Sequence, residues 1–77
     1  MADMPRTSST HRINRDALVA LRERSGMTLR QLAEAANIHF AYLSQIEAGD
    51  RQPSAAVIKR IAAGLAVPTT ALLGGDE

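Results

Sequence analysis

Seventy-seven residues, 45% of them hydrophobic and 22% charged, with a net charge of +1, bound the chain to one small domain with a modest core. The absence of cysteine excludes disulfides and thiolate metal sites, and no apolar run approaches the roughly 20 residues that span a bilayer. The charge is unevenly spread: six arginines face three acids through residue 30, and three basic residues face five acids beyond it.

Residues 1–12 are polar, rich in Ser and Thr, and carry Arg6, His11 and Arg12. They predict a flexible basic arm without the apolar centre of a signal peptide. A domain over 13–74 and a short tail over 75–77 complete the expected organisation. A soluble, cytoplasmic protein is the default expectation. The first helix should begin at Asn14, a good N-cap, with Asp16 in its first turn and Ile13, Ala17, Leu18 and Leu21 facing inward. Ser25-Gly26 should end it, because glycine enters positive φ freely.

The stretch from Thr28 to Gly49 organises the rest. Leu29, Leu32, Ala33 and Ala36 recur at the spacing of one helical face. Thr28 followed by Gln31 has the form of a capping box. Asn37 can turn the chain through the left-handed region, and Ile38, Leu43 and Ile46 resume the apolar stripe. Two helices joined by so short a turn are a helix-turn-helix pattern. On the second of them, Phe40, Ala41, Ser44, Gln45 and Ala48 share a surface without charge. Solvated helix faces are rich in charge, so this one is suited to contact. Gln, Ser and small apolar groups on a braced helix are what reading of the DNA major groove requires.

Gly49 should cap that helix, and Pro53-Ser54 should start a fourth, with Val57, Ile58, Ile61, Ala62 and Leu65 buried. Gly64 would allow a neighbouring helix close approach. After Val67-Pro68, Thr69 or Thr70 should open a last short helix through Ala71, Leu72 and Leu73.

Three groups of residues together carry a resemblance: Thr28-Leu29 with Leu32-Ala33, then Tyr42-Leu43-Ser44-Gln45-Ile46-Glu47 with Gly49, then Pro53-Ser54. From about Leu18 to Leu73 the chain resembles the lambda-repressor-like (Xre/Cro-type) helix-turn-helix family. The resemblance implies an all-α, compact five-helix bundle, and a homodimeric transcription regulator of the repressor kind on palindromic double-stranded DNA. Its recognition helix would be residues 39–48. Position by position, His39, Phe40, Ala41, Ser44 and Gln45 become base-facing residues. Gln45 suits adenine, while Phe40 and Ala41 suit thymine methyls. Thr28, Arg30, Tyr42, Arg51 and Gln52 become phosphate-contacting residues. Arg22 and Glu47 match an internal ion pair of the family that joins the first helix to the third. Relatives usually carry Gln at the place of Leu29, Ser or Thr at His39, and an aromatic at Ala71. A bacterial or phage-encoded protein, nucleoid-associated when bound, follows from the same resemblance.

No enzyme site is legible: the two histidines, His11 and His39, stand apart, and neither a metal-ligand motif nor a glycine-rich phosphate loop is present. Neither cofactor nor metal is expected. A protein-binding module of a small operon, such as an antitoxin that also regulates its own promoter, is the alternative. Co-purification of a stable hetero-partner would mark it.

Overall fold

Each α-helix starts where a side chain accepts from a free backbone amide and stops where the chain turns, in three of the four through a residue at positive φ. The computed structural model describes residues 12–73, so Arg6 and His11 of the expected arm, and the tail over 75–77, lie outside the described residues. Helix α1 spans Arg15–Arg24, and the Asn14 side chain accepts from the Ala17 amide at 3.1 Å. Helix α2 spans Leu29–Ala36. Its capping box is complete: Gln31 N–H donates to the Thr28 hydroxyl at 3.1 Å, and Thr28 N–H to Gln31 Oε1 at 2.8 Å. Asn37 ends α2 in the left-handed region at φ +58°. Helix α3 spans Phe40–Ala48 and ends on Gly49 at φ +89°. Helix α4 spans Ala55–Leu65 from an N-cap at Ser54. It closes on Ala66 at φ +59°, a conformation that strains a residue with a Cβ.

The fold is all-helical, but the described residues contain four α-helices rather than the five expected. The fifth element is one 3-10 turn, Thr69–Leu72. Pro68 precedes it without a side-chain cap, and its neighbours are committed elsewhere. Leu73 is extended and pairs with Ile13 in an isolated antiparallel bridge, and Asn14 N–H donates to the Leu72 carbonyl at 2.7 Å. The backbone groups that would lengthen a helix instead join the two ends of the domain.

Leu18, Leu32, Leu43, Ile46, Ile58, Ile61 and Leu72 are fully buried and form the centre of one core. Helices α2 and α4 form the largest interface. Gly64 makes their approach possible, since a Cβ there would lie 3.2 Å from both Ala35 Cβ and Leu32 Cδ1. Helix α3 contributes Leu43 and Ile46 to the core and is braced by α2 and α1. It is therefore held from behind, and its other side is free.

Candidate nucleic-acid interface

The free side of α3 carries the uncharged residues. Ala41, Gln45 and Ala48 are exposed, Ser44 is half-buried, and Phe40 is half-buried with part of its ring against the core. His39 is exposed and is also the N-cap of α3, where its Nδ1 accepts from Ala41 N–H at 3.0 Å. Acceptance at Nδ1 leaves the proton of a neutral imidazole on Nε2, so the exposed ring keeps one donor. Histidine thus takes over the capping that Ser or Thr usually provides.

Behind the helix, Arg22 meets Glu47 in a bidentate pair, Nε to Oε2 at 2.7 Å and Nη2 to Oε1 at 3.1 Å. Arg22 Nη1 also donates to the Met27 carbonyl at 3.0 Å, so one guanidinium ties α1, the α1–α2 turn and α3 together. The hydrogen bond to Glu47 holds the Arg22 pKa above its ordinary value, against the opposing effect of burial. Side-chain exposures of 15% and 11% make this a largely dehydrated pair, in which a lost partner leaves a costly charge.

Two arginines flank α3 by lying on aromatic rings. Arg30, from α2, has its guanidinium carbon 4.5 Å from the centre of the Phe40 ring. Arg51, from the loop after α3, stands 5.8 Å from the centre of the Tyr42 ring. Both arginines are exposed, whereas Tyr42 is half-buried against the core. Cation–π contact of this kind orients a guanidinium by its face and leaves its in-plane N–H groups available.

The loop after α3 borders an open cleft of about 370 Å³, where Arg12, Arg15 and Arg51 meet Gly49, Asp50 and Gln52. Arg15 lies over Gly49 so closely that a Cβ there would come 2.5 Å from its Nη1. Gln52 Oε1 accepts from Ile13 N–H at 3.0 Å, which straps the loop to the chain entering α1. Its amide NH2 can still donate. Thr28 is likewise engaged in the α2 capping box as an acceptor, and its hydroxyl proton can be donated outward. The amides of Leu29 and Arg30, in the first turn of α2, have no partner within the helix.

The structure thus gathers Phe40, Ala41, Ser44, Gln45 and His39 on or beside one face, with Arg30 and Arg51 at its flanks. Sequence reasoning did not single out Arg15. Nothing in its surroundings in the chain marks it, because its neighbour Gly49 lies 34 residues away. The glycine after an uncharged helix face was the only signal. Among the described residues, no cluster of His, Asp or Glu could hold a metal ion, and no helix is long and apolar enough to cross a membrane.

Comparison with known proteins gives a concordant result. The model of the family described as Helix-turn-helix matches residues 18–72. The transcriptional regulator ClgR of Mycobacterium tuberculosis is 34% identical over 58 residues, covering 75% of this chain and 52% of that protein. The HTH-type transcriptional regulator SutR of Escherichia coli K12 is 39% identical over 60 residues, covering 78% of this chain and 34% of SutR. The chain therefore spans about half, or less, of the length of these relatives. Among solved structures, the clp gene regulator ClgR from C. glutamicum superposes with a TM-score of 0.68 at 32% identity, over 73% of each chain.

Proposed function

The chain belongs to the lambda-repressor-like (Xre/Cro-type) helix-turn-helix family, and we propose that it acts as a sequence-specific DNA-binding transcription regulator. The observation that carries this reading is the exposed, uncharged face of α3, held against the core by Leu43 and Ile46 and by the Arg22–Glu47 pair. Such a face enters a major groove without bringing a charge that the bases cannot match.

In this reading Gln45 bonds an adenine edge, and Ala41 with the uncovered part of Phe40 meets thymine methyls. The Ser44 hydroxyl, and the Nε2–H of His39 as a donor, suit more than one base. Thr28, Tyr42, Arg51 and Gln52 face the sugar-phosphate backbone, with the Leu29 and Arg30 amides beside them. Arg12 and Arg15 extend the basic border beyond Arg51, where the cleft already brings the three together. Two copies acting as a repressor on a palindromic site would present two such helices to half-sites about 34 Å apart.

Selection from random duplexes followed by footprinting tests the proposal. A two-fold site with half-sites separated by about one helical turn is the expected result. Purified protein that ignores duplex DNA at low ionic strength overturns it.

A further inference from the structure

We infer that Arg30 reads a guanine base and that Phe40 is the platform that holds it in place, an assignment that rests on the DNA-reading role of α3 and replaces the phosphate contact expected of Arg30 from its charge beside the start of α2. Three observations converge on it. The guanidinium carbon lies 4.5 Å over the Phe40 ring centre, so the ring holds the group in place, while none of its N–H groups donates to a protein acceptor among the described residues. Phe40 is the first residue of α3, and the exposed Ala41 follows it, so Arg30 is carried from α2 to the leading end of the reading face. No acid among the described residues forms an ion pair with Arg30, although Glu34 stands one turn along the same helix.

Glu34 favours a base over a phosphate. It lines the same open cleft as Arg30, Phe40 and Ile38, where Arg30 is the one arginine among the described residues, whereas Arg12, Arg15 and Arg51 outnumber Asp50 in theirs. A carboxylate there repels the full charge of a phosphate more strongly than the partial charges of a base edge, and it attracts the amino group of a cytosine. A guanidinium with unengaged N–H groups offers two parallel donors to the O6 and N7 of guanine, the pairing that arginine makes with a base most often. The ring fixes the guanidinium before DNA arrives, so less side-chain freedom is lost on binding. Phe40 is then a positioning residue. Its ring is half-buried against the core, and the face under Arg30 is not open to a thymine methyl.

The test uses the full chain and a panel of duplexes in which each base pair of the selected site is varied. Wild-type protein should prefer guanine at one position of each half-site by roughly 5- to 150-fold. Arg30→Ala should abolish the preference at that position and leave the others unchanged. Arg30→Lys should recover only part of it, since an ammonium is a point donor rather than a fork. Phe40→Leu, which keeps an apolar side chain but removes the ring, should weaken the preference at that same position. Thermal melting of each variant separates this from loss of fold, and the exposed Arg30 carries the test by itself. If Arg30→Ala weakens every sequence by one factor and lowers the salt dependence, Arg30 is a phosphate ligand and the inference is wrong. An unchanged preference overturns it equally. Wild-type protein without any sequence preference would remove the DNA-reading role itself, and this assignment with it.

Discussion

Gln45 stands exposed at the middle of the α3 face, with hydrogen-bonding atoms at the end of an uncharged side chain. Replacing it by Ala should cost about 1–3 kcal/mol on the best site and relax the preference at one base pair, as a panel of single-base variants would show. Arg51→Ala should instead weaken all duplexes alike and flatten the dependence of affinity on salt. A loss confined to one base pair would show that Arg51 reads sequence. Ala66 makes a prediction about stability alone. It ends α4 at φ +59°, where its Cβ crowds the backbone. Ala66→Gly should stabilise the domain by about 0.5–1 kcal/mol after the greater freedom of glycine in the unfolded chain is deducted. Chemical denaturation reads this directly, and a lowered midpoint would contradict it.

Between elements, the Arg22–Glu47 pair sets how α3 is presented. The pair is bidentate, and Arg22 makes a third bond to the Met27 carbonyl. Glu47→Ala should destabilise by about 2–3 kcal/mol, less than for a wholly buried pair because the side chains retain 15% and 11% exposure. It should also impair binding in protein that remains folded, since α3 loses its tie to α1. A variant that melts earlier yet binds its site normally would restrict the pair to stability. The α2–α4 crossing depends on Gly64, where an added Cβ would lie 3.2 Å from Ala35 Cβ and Leu32 Cδ1. Gly64→Val would overpack that contact and cost about 1–3 kcal/mol, visible as a lower melting temperature.

At the scale of the molecule, a net charge of +1 cannot draw the chain strongly to DNA. In the proposed role affinity comes from a few arginines in fixed places, and Arg12, Arg15 and Arg51 share one cleft. Arg15→Ala should therefore lower the slope of log K against log salt by about 0.9, with base preference unchanged. A slope equal to that of the wild type would assign Arg15 to structure, against Gly49, instead of to phosphate. The local elements of this fold were legible because local chemistry makes them. Asn14, Thr28 and Ser54 satisfy amides within their own first turns, Asn37 and Gly49 need no distant partner to adopt positive φ, and the periodic Leu and Ile residues marked the core. The helix-turn-helix and its uncharged face followed from those spacings. Only the tertiary structure decided the rest. The last helix became a 3-10 turn because Leu72 and Leu73 bond to residues nearly 60 positions earlier. Arg30 lies on Phe40, Arg15 on Gly49 and Gln52 under Ile13 through contacts across the fold, and such contacts leave no periodic trace in a chain. Capping and amphipathic spacing act over three or four residues, whereas an arginine's partner is chosen by which helix the packed core brings within its reach.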